Sequence, residues 1–169
     1  MLGARSHAVV RKAEARDPQA LAGVFSESWR HAYRGIIPHL HLEAMIRKRG
    51  PGWWSNAITS GEGLLVLETG GAVGGYATWG AARARGQSEG EIYELYLAPT
   101  YQGLGFGELL FESCRHRLET RRARGLLVWA LLDNTPAIDF YWRRGGRPAL
   151  RAFDRFGKVK LEKIGFTWN

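Results

Sequence analysis

Cysteine is nearly absent: Cys114 is the one thiol in 169 residues. That excludes an intramolecular disulfide framework and any multi-cysteine metal cluster, and it makes a reducing cytoplasm the expected compartment. No apolar run approaches the ~18–20 residues that span a bilayer, so no membrane segment is expected. The opening "MLGARSHAVVRKAEARDP" holds no apolar block of signal-peptide length, which points away from export. Internal repeats, low-complexity tracts and long linkers are missing as well. His7, His31, His39, His41 and His116 form no metal-ligand pattern, so no metal is expected. Acid is the scarcer charge, with 16 Asp and Glu against 24 Lys and Arg and a net charge of +8. Such a balance favours anionic partners: nucleic acid, a membrane surface or a phosphate-bearing ligand. Much of the charge sits in "RHRLETRRAR" (Arg115 to Arg124) and "YWRRGGRPALR" (Tyr141 to Arg151). The first run falls late in an expected helix, where cations complement the macrodipole. It reads either as a solvated face or as a hold on phosphate.

What is present suits one globular domain over residues 1–169. The chain is 45% hydrophobic and 12% aromatic, and a chain this long buries roughly 70% of its unfolded surface without staples. "HAVVRKA" (His7 to Ala13) reads as a first strand. Asp17-Pro18 supplies a cap and a first-turn proline for a helix to about His31, with Leu21, Val24, Phe25 and Ser28 on one face. Helices follow from His39 to Lys48 and, shorter, after "GPGWWSNAI". Leu64–Glu68 and Val73–Ala81, joined at Gly70-Gly71, read as a hairpin. "GEIYELYLAP" is a strand ended by Pro99. A helix over Gly105–Arg124 carries Phe106, Leu109, Leu110, Cys114 and Leu118 at helical spacing, with Gly125 as its left-handed stop. "LLVWALL" is continuously apolar, as a strand covered on both faces would be. Asn134 opens a last helix that ends at Gly145-Gly146, and the tail closes as a hairpin around Phe156-Gly157. The order predicts one α/β domain with a mixed sheet.

The densest signal is "YLAPTYQGLGFGELL" (Tyr96 to Leu110), three glycines in five residues between a strand and a helix. It is not the dinucleotide fingerprint, because Glu108 stands where a third glycine would be needed. No G-x-x-x-x-G-K-[ST] occurs, which excludes a P-loop. Gly103, Gly105 and Gly107 bare a helix N-terminus whose first amides have no intrahelical partner. Those donors and the positive dipole end suit a phosphate or pyrophosphate; a plain strand–helix turn is the other reading.

The run Q-x-x-G-x-G after "YLAP" and before "ELL" resembles the acetyl-CoA loop of the GNAT family of N-acetyltransferases. "NTPAIDFYWRRGG" (Asn134 to Gly146) is similar to that family's second signature, and "SWRHAYRGIIP" (Ser28 to Pro38) to the first-helix segment of small bacterial members. The resemblance spans nearly the whole chain. It implies a mixed, mostly antiparallel twisted sheet of six to seven strands with about four helices, and a parallel strand pair splayed at the cofactor cleft. It implies acetyl-CoA as acetyl donor, a small-molecule or peptide amine as acceptor, and a possible homodimer. Nucleic acid, suggested by the charge, is the less favoured partner. A non-catalytic acyl-CoA-binding module on the same fold is the alternative to an enzyme.

Carried onto this sequence, the resemblance has the backbone of Leu95 and Leu97 pairing with the pantetheine arm. Gln102, Gly103, Leu104, Gly105, Phe106 and Gly107 would wrap the pyrophosphate. Asn134 would hydrogen-bond the arm or cap its own helix. Phe140 and Tyr141 would face the cleft, with Tyr141 either protonating the departing thiolate or serving as a core tyrosine. The attacking amine needs a base, and Glu91 and Glu94 are the candidates. They are three apart, so strand alternation puts them on opposite faces unless a bulge intervenes. Trp29, Tyr33, Trp79 and Tyr93, from an aromatic surplus that includes Trp53 and Trp54, are the candidate acceptor walls. Cys114 reads as packing.

Overall fold

The computed structural model describes residues 7–61 and 63–169. The chain runs β1 (Val9–Lys12), α1 (Pro18–Tyr33), α2 (His39–Lys48), α3 (Pro51–Ser60), β2 (Leu64–Thr69) and β3 (Ala72–Ala81). It continues through β4 (Gly90–Leu97), a 3₁₀ turn (Pro99–Tyr101), α4 (Phe106–Thr120), β5 (Leu126–Leu131), α5 (Thr135–Arg143), β6 (Arg147–Phe156) and β7 (Val159–Trp168). The strands form one seven-stranded sheet in the order β1-β2-β3-β4-β5-β7-β6. Neighbouring strands are antiparallel except β4 and β5.

Two hydrophobic layers hold the sheet. On one face Leu110, Phe111, Cys114 and Leu118 of α4 meet Leu65, Leu67, Ala77, Ile92 and Val128. On the other, Leu21, Val24 and Phe25 of α1 meet Leu64, Val66 and Tyr76. The run Leu64–Leu67 is apolar at every position because both faces of β2 are covered. Each fully buried leucine or phenylalanine contributes about 1.5–3 kcal/mol.

Several sequence expectations shift by a turn or a face. Asp17 does not cap α1 with its side chain. Its carboxylate accepts instead from the Glu14 amide at 2.6 Å and from Arg11 at 2.8 and 3.0 Å, tying α1 to β1. α1 continues to Tyr33. The apolar stripe of α4 includes Phe111, which is fully buried against Phe140 of α5, whereas Leu109 is exposed. α4 also stops at Thr120, four residues before Arg124. The carbonyls of Arg124 and Gly125 accept from the amides of Glu89 and Gly90, so the segment is pulled out of the helix to start the β4–β5 pairing.

That pairing is short. β4 and β5 are matched at Gly90–Leu126, Glu91–Leu127 and Ile92–Val128, and no further. Beyond Ile92, β4 follows β3 to Leu97, while β5 follows β7 to Leu131. The departure coincides with a bulge. Thr78 is opposite Glu94 and Trp79 opposite Ile92, leaving Tyr93 as the extra residue that bends β4.

Candidate active site

The splayed strands open a cleft of about 580 Å³. Its walls join the glycine stretch, the outer half of β4, the end of β5, α5 and the end of α1, and that size suits a small-molecule site.

Gln102, Gly103, Gly105 and Gly107 line the cleft. Gly105, the residue that caps α4, has φ 84° and ψ 7°. This left-handed backbone suits glycine because a Cβ there crowds the main chain. It turns the chain so that the first amides of α4, which have no carbonyl one turn earlier, meet the cleft mouth. Gly107 is required for a different reason. A Cβ on it would lie 3.1 Å from Cε2 of Phe140, so its bareness lets α5 close on α4. Leu104 is exposed and Phe106 is buried beside Tyr101, and neither side chain lines the cleft. An unpaired β4 edge, a bare helix N-terminus and a cleft joining them fit an extended pantetheine arm with a pyrophosphate. Leu95 and Leu97 lie on that edge, and the Gln102 side-chain Nε2 donates to the Leu97 carbonyl at 3.2 Å.

The bulge at Tyr93 changes the face assignment of the carboxylates. Glu91 is opposite Gly80 and Glu94 opposite Thr78, two residues apart on β3, so both glutamates share the α1 face of the sheet. Their surroundings differ. Glu91 is 1% exposed, does not line the cleft, and accepts from the Arg83 amide at 3.0 Å and its guanidinium at 2.7 Å. Glu94 does line the cleft. It accepts from Nη1 of Arg49 at 2.8 and 3.0 Å and from the Tyr76 hydroxyl at 3.2 Å, which itself accepts from Trp29 Nε1 at 3.3 Å. We expect Glu94→Gln to lower turnover at least ~100-fold, the low end of general-base effects, and Glu91→Gln to change it less than ~3-fold. Steady-state rates with saturating acetyl donor distinguish the two.

Tyr141 lines the cleft and is packed among Phe111, Phe140, Phe166 and Trp168. Burial raises its phenol well above the ordinary value, so the proton is held through the neutral range. Burial pushes Tyr33 to about 12 and lifts Tyr76 and Tyr96 too, and the hydroxyls of Tyr33 and Tyr96 are hydrogen-bonded. All four values are higher folded than unfolded. Their stabilisation is therefore complete below the unfolded value of about 10 and lost as pH rises through the folded values. The melting temperature should hold to about pH 9.5 and fall steeply above about 10.5. A level profile to pH 12 would contradict this.

Asn134 both lines the cleft and caps α5, its side-chain oxygen accepting from the Ala137 amide at 3.4 Å. Tyr33 and Tyr93 are cleft residues. Trp29 and Trp79 are not. Trp29 is buried against Phe25, and Trp79 lies on the α4 face under Arg121, 4.7 Å from its ring. Their aromatic character marks core rather than wall. Trp129, Ile36 and Tyr96 line the cleft and were not among the expected site residues. The continuous apolarity of "LLVWALL" hides which face Trp129 takes, so its place had no signal in sequence. Cys114 is buried, its thiol pushed up to about 12 by burial, consistent with packing. Among the described residues, no group of His, Cys, Asp and Glu suited to a metal occurs, and no helix is long and apolar enough to cross a membrane.

A splayed parallel pair beside a glycine-lined helix mouth is the arrangement that the resemblance to the GNAT family implies. The profile of the acetyltransferase (GNAT) family matches residues 24–145. The chain is 30% identical over 162 residues to the uncharacterized N-acetyltransferase YuaI of Bacillus subtilis, covering 94% of this chain and 91% of that protein. It therefore belongs to the GNAT family of acetyltransferases. The fold is shared with a PaiA N-acetyltransferase of Thermoplasma acidophilum solved with coenzyme A. The TM-score is 0.74 at 20% identity, over 92% of this chain and 97% of that one. It is shared also with yncA of Salmonella typhimurium, described as a putative acetyltransferase with its cofactor acetyl-CoA. There the TM-score is 0.66 at 17% identity, over 95% and 92%.

Proposed function

We infer that the chain acts as a single N-acetyltransferase domain that moves acetyl from acetyl-CoA directly to a primary amine of a small molecule or peptide, through a ternary complex. The observation that carries this reading is one continuous cleft holding the bare mouth of α4, the unpaired edge of β4, Tyr141 and Glu94. When bound, acetyl-CoA supplies an activated thioester carbonyl and a thiolate leaving group. The amides at the start of α4 hold the pyrophosphate, and the edge of β4 orients the arm as an added strand. As the C–N bond forms and the C–S bond breaks, Tyr141, kept protonated by burial, gives its hydroxyl proton to the departing sulfur and recovers one, through water, from the nitrogen that becomes the amide. Glu94 receives the ammonium proton, directly or through water, and leaves the nitrogen lone pair free to attack. Membership of the family and the acetyl-CoA named with a fold relative support the choice of donor.

The test is release of free thiol from acetyl-CoA with a panel of amines, paired with calorimetry of acetyl-CoA alone. Amine-dependent thiol release supports the enzyme. Tight binding without release by any amine would leave an acyl-CoA-binding module instead.

A further inference from the structure

We propose that Tyr33 is a further catalytic residue, its hydroxyl donating a hydrogen bond to the thioester carbonyl oxygen, which gathers negative charge as the amine attacks. This deepens the acetyl-transfer reading and rests on it. Tyr33 is only 6% exposed yet lines the cleft, so a nearly enclosed side chain borders the ligand space. An aromatic wall needs only a ring; the bonding of its hydroxyl sets Tyr33 apart.

That hydroxyl sits where the sheet splits. On one side it is hydrogen-bonded to the hydroxyl of Tyr96 on β4. On the other stands the side chain of Asn134, just past the end of β5. Asn134 Oδ1 accepts from the Ala137 amide, which turns its NH2 group toward Tyr33. One phenol on α1 thus ties the two diverging strands together. Its own position is fixed from behind. The Tyr33 carbonyl accepts from the amides of Ile36 and Ile37 at 2.9 and 3.0 Å, in a turn that uses Gly35 at φ 83°. The ring meets Trp29 with centres 4.9 Å apart and crosses Tyr96 edge-on at 6.1 Å. A donor held in this way has no reorganisation to undergo as charge develops.

Two hydroxyls that share one hydrogen bond have a proton left over. Burial raises both phenols, Tyr33 to about 12, so both protons are present through the neutral range. Against burial, the bonds from Tyr96 and Asn134 favour the ionised form of Tyr33, whereas the shared bond raises Tyr96 further. Tyr96 and Asn134 therefore donate, the Tyr33 oxygen accepts from both, and the remaining proton is Tyr33's own. Among the described residues no carbonyl or carboxylate accepts it. A buried O–H without an acceptor is costly, and a ligand oxygen removes that cost. Tyr141 is raised by burial first and then by the charge of Tyr33, so the two hydroxyls border one space. With Tyr141 at the sulfur, the carbonyl oxygen lies one carbon away within that space. As the nitrogen lone pair forms the C–N bond, the carbonyl π pair moves onto oxygen, and it returns as the C–S bond breaks. Tyr33 keeps its proton throughout, and the bond it donates is strongest while the charge is there.

Two measurements read the donor. The first is the infrared difference spectrum of acetyl-CoA, carbon-13 labelled at the carbonyl and bound without amine. A donated hydrogen bond lowers the C=O stretching frequency, so the band should move up in Tyr33→Phe. A band in the unaltered protein as high as that of S-ethyl thioacetate in hexane overturns the proposal without any variant. The second is the steady-state rate with the amine of the panel that releases thiol fastest. Tyr33→Phe should lower kcat at least ~100-fold, the scale of one oxyanion donor, while Kd for acetyl-CoA changes less than ~3-fold. Tyr96→Phe removes one bond to the Tyr33 oxygen and keeps the donor, so it should cost at most ~10-fold, about one ordinary hydrogen bond, and keep the low band. A band unmoved in Tyr33→Phe, or a loss of affinity matching the loss of kcat, assigns Tyr33 to packing and overturns the proposal. Equal losses in the two variants give the donor to Tyr96, which overturns it as well. Absence of thiol release with every amine overturns the transfer reading, and the band still decides the donor. Absence of acetyl-CoA binding overturns both.

Discussion

Gly105→Val is expected to abolish acetyl-CoA binding, raising Kd at least ~100-fold by calorimetry. Valine at φ 84° carries a strain of about 1–3 kcal/mol, which the loop relieves by rotating out of the left-handed region. That rotation turns the first amides of α4 away from the cleft and disperses the array proposed to hold the pyrophosphate. The loop is exposed at Gly103 and Leu104, so the change should cost little of the fold. The melting temperature of the ligand-free variant should fall by only a few degrees. Gly107→Ala supplies a graded comparison. Its Cβ must displace Phe140 by a few tenths of an ångström, and a loss of about 10-fold in affinity is expected. Undiminished binding by Gly105→Val would move the pyrophosphate away from this helix mouth.

The glycine stretch was legible because its constraint is local. Residues bare enough to take a left-handed turn at a helix start announce themselves in any window of ten. The element order was legible for the same reason: periodicity and turn residues mark β1 through β7 without reference to partners. Boundaries moved where a distant strand competed with a helix, as when Glu89, bonded to the Arg124 carbonyl, drew the end of the expected helix out of α4.

The cleft's chemistry was legible only in part, because it depends on register. Glu91 and Glu94 share a face through a bulge at Tyr93, and that bulge exists only in the pairing of β4 with β3. Arg49 meets Glu94 across 45 residues of sequence, with nothing in the stretch around either to announce the pair. Trp29 and Trp79 illustrate the opposite error. An aromatic surplus suggested walls, yet the two rings belong to the two separate layers of the core. Parity along a strand cannot be read when both faces are apolar, so the sequence does not separate Trp129, which lines the cleft, from Trp79, which lies in the core.

Tyr141→Phe is expected to lower kcat at least ~100-fold, the lower end of what a positioned general acid contributes, while Kd for acetyl-CoA changes less than ~3-fold. The substitution removes one oxygen and keeps the ring that Phe111, Phe140, Phe166 and Trp168 enclose, so packing is preserved. Without the hydroxyl, the departing thiolate is left in an apolar wall with no proton donor at that position, and the barrier rises by the lost stabilisation. The dependence on leaving group separates this from simple disturbance. An acetyl thioester whose thiol is more acidic needs less protonation as it departs, so the variant's deficit should shrink with such a donor. A deficit equal for both donors would assign Tyr141 to positioning alone, and an unchanged kcat would remove it from the chemistry. The alkaline limb gives an independent reading. Burial holds the Tyr141 proton well above neutral pH, so loss of activity between pH 6 and 9 must arise in another group. The limb seen there should survive in Tyr141→Phe at its original midpoint.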